Sequence, residues 1–348
     1  MEPYRRLVIL GALSSLAAPA LSQVPGKTHV VGFWGGDGYW DEPEKPPQPA
    51  PVDRRIEWFE DGLAKLGFVT GKNLEVAYVF TFPRSKGLVA QQALELMSKR
   101  PDVIHLSSSA AQGRRAAIRA LSKSIPLTFA NVTEDQAEEA LGDLKRPSDN
   151  VTGVALKYRE MAEKRLELVR ELLPKARRVA LVTNAQLWGS KLDRVREAGQ
   201  RIGLEVITVD VSKYGVLESG SEEAGNRGLA AALVDMLKWR PDAFLVYWGF
   251  NASERYWRFS DFELRHRLPF IGDGVMFSDG VASYGMDYDD HQRRLMSIIA
   301  QILKGTPPSE IPVDSTSRYL LKIDLKRAKE IDVKVPPALL VRADKIIQ

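Results

Sequence analysis

IPLTFANVTEDQAEEALGDLKRPSDNVTGV, residues Ile125–Val154, sets the reading of the whole chain. Leu127–Ala130 is a short apolar run of the kind that forms a buried strand, and it stops at Asn131, Val132 and Thr133. A short amphipathic helix follows, then the turn Arg146-Pro147-Ser148-Asp149, then Asn150-Val151-Thr152-Gly153. In an open α/β sheet, ligands bind beyond the carboxyl ends of the strands, so Asn131 and Thr133 stand where a site is expected. The Asn-Val-Thr-Gly run reads as a chain leaving one sheet for another.

On either side the pattern alternates. His29–Trp34, Asn73–Phe80 and Val103–Leu106 read as strands, and Asp53–Leu66, Lys86–Lys99 and Ala110–Leu121 as helices. After Gly153 the alternation restarts. Arg178–Thr183, Glu205–Val211, Ala243–Tyr247 and Phe270–Gly272 read as strands, and Tyr158–Leu173, Lys191–Ile202, Gly225–Trp239 and Ser253–His266 as helices. Such spacing implies parallel sheets wound on both faces, and two runs of similar size imply two α/β lobes. Between Gly35 and Pro49 lie seven prolines and glycines, so the Gly35–Pro51 stretch is expected to be an extended loop, either a rim over a cleft or a plain insertion.

Composition narrows the class. The 348 residues are 44% hydrophobic and 27% charged, with a net charge of +4 spread along the chain, which offers no nucleic-acid stripe. Residues 1–22 have the form of a cleavable secretory signal, with Arg5 and Arg6, the apolar Leu7–Leu16 and the small-residue site Ala20-Leu21-Ser22; a buried strand or an uncleaved anchor are the alternatives. There is no cysteine, hence no lipid-modified terminus, disulfide or thiolate site. The expected location is the periplasm, without a lipid anchor.

Several segments together resemble the tryptophan-binding-type family of ABC transporter substrate-binding proteins. They are Phe129-Ala130-Asn131-Val132, Arg146-Pro147 through Gly153, Ser283-Tyr284-Gly285, Lys304-Gly305, Ile311-Pro312-Val313 and Pro336 through Asp344. Gly62-Leu63, Leu66-Gly67-Phe68 and Gly71-Lys72-Asn73 match as well. Ser148-Asp149 replaces the family's double glycine, and Glu134-Asp135 its usual Asp-Pro. The resemblance implies the type I periplasmic binding protein fold, two doubly wound parallel-sheet lobes joined by a hinge of several crossings. These crossings are expected near Asn150–Val154, Val281–Tyr284 and Ser309–Val313, giving lobes of residues 23–152 plus 282–309 and 153–281 plus 310–348. It further implies a small organic ligand, an amino acid or related polar or aromatic compound, and a permease partner in the inner membrane. A monomer without cofactor, metal, catalysis or nucleic-acid partner is expected. A periplasmic sensor feeding a membrane signalling protein is the alternative.

Candidate ligand contacts are the polar and aromatic residues at strand ends: Trp34, Gly35, Ser107, Ser108, Ser109, Asn131 and Thr133 in the first lobe. In the second they are Asn184, Gln186, Trp188, Trp248, Asn251 and Asp273. The serines could cap a helix or present its free N–H groups to an anion. Asn131 and Thr133 could contact ligand or form a turn, and Asp273 could meet an ammonium or cap a helix. The tryptophans could wall a cleft or pack the lobes. No phosphate-loop or nucleophile-elbow motif occurs, and His29, His105, His266 and His291 have no metal-ligand spacing.

Overall fold

A computed structural model describes residues 26–36, 50–81, 88–107, 111–185, 191–216, 222–246, 256–273 and 280–348. The first alternation builds β1 (His29–Gly36), α1 (Ala50–Ala64), β2 (Leu74–Thr81), α2 (Val89–Ser98), β3 (Val103–Ser107), α3 (Ala111–Leu121), β4 (Leu127–Thr133), α4 (Glu134–Leu141) and β5 (Val151–Leu156). The second builds α5 (Tyr158–Leu172), β6 (Arg178–Thr183), α6 (Lys191–Arg201), β7 (Glu205–Asp210), α7 (Glu222–Lys238), β8 (Ala243–Val246), α8 (Tyr256–His266), β9 (Phe270–Gly272) and β10 (Ala282–Met286). The remainder forms α9 (Tyr288–Leu303), β11 (Asp314–Ser315), β12 (Tyr319–Asp324), α10 (Leu325–Glu330), α11 (Pro337–Arg342) and β13 (Lys345–Ile347).

These strands make two sheets, ordered β11-β5-β4-β3-β1-β2 and β13-β12-β10-β9-β8-β6-β7. The first five strands of each lobe therefore follow the same 2-1-3-4-5 winding, with a reversal of strand order between β1 and β3 and again between β6 and β8. All pairs of the first sheet are parallel, whereas β12 runs antiparallel to β10 in the second. Each sheet is covered on both faces. In the second lobe Val179 and Leu181 join the cluster under α5 and α6, while Ala180 and Val182 join the cluster under α7 and α8. That alternation is the strand period of two applied to a sheet buried on both sides.

Among the described residues the chain crosses between sheets three times, later than the sequence suggests. β5 pairs with β4, so residues 151–156 still belong to the first sheet and the crossing falls at Lys157, not near Asn150–Val154. β10 belongs to the second sheet, which moves the next crossing from Val281–Tyr284 to Asp287. β11 pairs with β5, which moves the third from Ser309–Val313 to residues 316–318. α9 packs against α1 and under β5, so the last segments belong to alternate lobes.

The stretch around Asn131 is also more regular than expected. β4 does not end at Ala130 but runs on to Thr133, with a register shift against β5 between Phe129 and Val132. Asn131 occupies the shift at φ 60°, the left-handed region that asparagine tolerates better than most residues. Opposite, Gly153 pairs with Phe129, and a Cβ there would stand 2.2 Å from the Phe129 carbonyl oxygen, so only glycine lets the bulged strand approach.

Candidate functional site

Each reversal of strand order opens a crevice at the carboxyl edge of its sheet, where adjacent connections leave in opposite directions. In the first lobe that edge carries Gly35, paired with Ser107, and in the second Val182, paired with Val246, followed by Thr183 and Asn184. β5 and β10 both run into their crossings from the same carboxyl edge, so the two crevices share the side of the molecule where the lobes are joined.

The sequence candidates divide by environment. Asn131, half-buried in its bulge, and Ser107, half-buried at the end of β3, both stand at the carboxyl edge of the first sheet. Thr133 already has employment: it caps α4, accepting from Gln136 N–H at 3.3 Å while Gln136 Oε1 accepts from Thr133 N–H at 3.0 Å. Trp34 is 0% exposed and lies inside the core with Leu106 and Ile118, its ring 5.7 Å from the Arg114 guanidinium. In the second lobe, Asn184 and Asp273 are both buried at the edge. Asp210 supports the β6 end, since its carboxylate accepts from Ala185 N–H at 3.1 Å. Ser108, Ser109, Gln186, Trp188, Trp248 and Asn251 lie outside the described residues, as do residues 1–22 and most of the Gly35–Pro51 loop.

The joint between the lobes is polar and closely knit. Asp287 caps α9 by accepting from Asp289 and Asp290 N–H, donates its own N–H to the Arg318 carbonyl at 2.9 Å and pairs with Arg318 Nε at 3.2 Å. Arg294 bridges Asp290 and Asp314 at 2.8 and 2.9 Å. The Tyr319 hydroxyl donates to the Thr316 carbonyl at 2.9 Å, and its ring stacks on Tyr284. Burial raises the pKa of both tyrosines, so each remains a neutral hydrogen-bonding group. His291, whose Nδ1 lies 2.6 Å from Thr316 Oγ1, is held down to about 4 by burial against the opposing pull of Asp290 and Asp314.

Sequence reasoning passed over the buried charges Arg114 on α3, Arg165 on α5 and Glu263 on α8, and weighed His105 in β3, also buried, only as a metal ligand. Arg165 and Glu263 interrupt otherwise apolar helix stripes, Met161-Ala162-Leu166-Val169 and Phe259-Phe262, and a charge on such a stripe is a legible sign of burial. Among the described residues, no group of three or more His, Cys, Asp or Glu side chains could hold a metal ion.

Comparison with known proteins places this arrangement. A family model described as ABC transporter substrate binding protein matches residues 50–347. A tyrosine-binding protein of Clostridioides difficile (strain R20291) is 23% identical over 291 residues, 81% of this chain and 78% of the relative. An ABC domain from Streptococcus pneumonia, solved in complex with L-Trp, superposes with a TM-score of 0.70 at 20% identity, covering 91% of this chain and all of that one (100%). A ligand-free, open substrate binding protein with adhesive properties from Clostridium difficile superposes with a TM-score of 0.61 at 18% identity, covering 92% and 100%.

Proposed function

Because the chain belongs to the ABC transporter substrate binding protein family, we propose that it serves as the periplasmic solute-binding component of an importer. In this reading the lobes close on an amino acid or a related aromatic or polar compound and present the closed form to an inner-membrane permease. The observation that carries it is the pairing of two 2-1-3-4-5 sheets whose carboxyl edges both face the joint. A ligand held there is reached from both lobes, which is what hinge closure requires. Tyrosine, bound by the Clostridioides difficile relative, and L-Trp, in complex with the Streptococcus pneumonia domain, support the amino-acid class.

Affinity in this reading comes from polar groups at strand ends, with Asn131 and Ser107 on one side and Asn184 and Asp273 on the other. Gly35, Ser108, Ser109, Gln186, Trp188, Trp248 and Asn251 are proposed contacts from their places in the chain. Thr133 and Trp34 contribute through the helix cap and the core that support these edges. The protein acts as a monomer, without catalysis. A secretory signal at residues 1–22 carries it to the periplasm.

The test is a thermal-shift screen of residues 23–348 against amino acids, aromatic acids, amines and sugars. A ligand that binds only the folded state raises the melting temperature by mass action, by about 2.7 kcal/mol of stability at a hundred-fold excess over Kd. A shift confined to amino acids or aromatic acids, reduced in Asn131→Ala, is the expected result. No shift across the set, together with turnover of any compound, would overturn the reading.

A further inference from the structure

Two buried polar side chains of the second lobe, Glu263 and Arg165, each hold two backbone groups around the end of β9 and the start of β10. Glu263, on α8 and 0% exposed, accepts from Phe270 N–H at 2.7 Å and from Val281 N–H at 3.0 Å, both through Oε1. Its Oε2 lies 3.3 Å from Arg327 Nη1. Arg165, on α5 and 1% exposed, donates Nη2 to the Asp273 carbonyl at 3.0 Å and Nε to the Tyr284 carbonyl at 2.8 Å. The helices carrying them cover opposite faces of the sheet. Gly280 adds a third restraint, because a Cβ there would stand 2.2 Å from the Phe270 carbonyl oxygen.

The backbone groups so held, at residues 270, 273, 281 and 284, bracket the connection that leaves the carboxyl end of β9 and returns to β10. Burying an ion carries a desolvation penalty that apolar side chains of similar volume would avoid, so the clamp adds geometry more than stability. Asp273 is the first residue beyond β9, and its backbone is gripped from one face while the base of its connection is pinned from the other.

We propose that Glu263 and Arg165 are positioning residues for ligand binding: they fix the Asp273 backbone at the sheet edge so that its carboxylate meets the ammonium group of an amino-acid ligand. This rests on the amino-acid reading above. Neither ion touches the ligand. Asp273 supplies specificity for an ammonium, and its backbone position is set before the ligand arrives.

Calorimetric titration with L-tyrosine and with 3-(4-hydroxyphenyl)propanoate, its analogue lacking the amine, separates this role from a merely structural one. Glu263→Ala is expected to weaken L-tyrosine about ten-fold, equivalent to about 1.4 kcal/mol, while the analogue shifts by less than about two-fold. Glu263→Gln, which retains the Oε1 acceptor for both N–H groups, restores L-tyrosine affinity. In an Asp273→Asn background, Glu263→Ala costs nothing further, and in ligand-free protein its faster amide exchange is confined to residues 268–284. Arg165→Lys keeps the charge but not the two-pronged geometry, so it reproduces the ammonium-selective loss even should Glu263→Ala fail to fold. Equal loss of both compounds, additive effects with Asp273→Asn, or wild-type affinity in both Glu263→Ala and Arg165→Lys would overturn the assignment alone. Wild-type protein that binds none of the amino acids in the thermal screen would overturn the amino-acid reading, and this assignment with it.

Discussion

Acidification should move the stabilities of the two lobes in opposite directions. His105 and His291, both in the first lobe and buried, are lowered by burial from 6.5 to about 3 and about 4. As pH falls below 6.5 the unfolded chain takes up a proton at each histidine while the folded lobe does not, so their contribution is complete above 6.5 and is lost on the way down to about 4. Each histidine then costs about 1.4 kcal/mol per pH unit. Between pH 6.5, the ordinary histidine value, and pH 4.5, the ordinary glutamate value, the first lobe therefore loses about 5 kcal/mol. Glu263 in the second lobe is raised by burial from 4.5 to about 7, against the lowering effect of its Phe270, Val281 and Arg327 bonds. Its folded form binds a proton that the unfolded chain releases, so the second lobe gains stability as pH falls through the same window, by about 2 kcal/mol. Urea titrations followed by lobe-resolved hydrogen exchange, corrected for the chemical exchange rate at each pH, measure both. Histidine-to-glutamine substitution at 105 or 291 should halve the first-lobe slope, and Glu263→Gln should flatten the second. If the lobes unfold as one unit, the slope is the net of one proton, about 1.4 kcal/mol per pH unit. A first-lobe stability unchanged between these pH values, or a slope indifferent to both histidine substitutions, would refute the argument.

Two substitutions probe the edge and the joint. Asn131→Ala places a β-carbon residue without a local hydrogen-bonding side chain at φ 60° and should cost about 1 kcal/mol in melting experiments, whereas Asn131→Gly restores stability but not ligand affinity; recovery of both by glycine would show that the side chain does not bind. Tyr319→Phe removes the hydroxyl that closes the third crossing on the Thr316 carbonyl, and should broaden the interlobe distance distribution of ligand-free protein measured between spin labels on the two lobes. An unchanged distribution would show that this hydroxyl does not stiffen the crossing.

Much of the fold was legible because apolar periodicity reports burial directly. Arg178–Thr183 and Phe270–Gly272 are strands over the same residues that their apolar runs and flanks mark. β12 escaped because Tyr319–Asp324 mixes charged and apolar residues at the antiparallel side of its sheet, and β13 because the three residues Lys345–Ile347 are mostly exposed at the sheet edge and carry no buried run. The crossings were misplaced for a different reason. A strand's sequence states that it is buried but not which sheet accepts it, and Val151–Leu156, buried throughout, reads the same in either lobe. Asn131 was marked by its place after an apolar run, but the left-handed bulge that holds it follows from its pairing with Gly153's strand and could not be read locally.

The crossings also limit what the proposed closure can be. Lys157 alone separates β5 from α5, Asp287 alone separates β10 from α9, and three residues, 316–318, separate β11 from β12. Segments this short cannot slide one lobe past the other; they can absorb a change in a few backbone angles and hence a rotation. Asp287 is bonded to Arg318 through both backbone and side chain, so the second and third crossings turn together. In the proposed closure, rotation about an axis through these residues, at the carboxyl edges of both sheets, would bring the edge carrying Asn131 towards the edge carrying Asp273. Residues distant from any ligand, Asp287 and Tyr319 among them, would then set how much of the binding energy is spent on closing, and so the affinity for every ligand by a common factor.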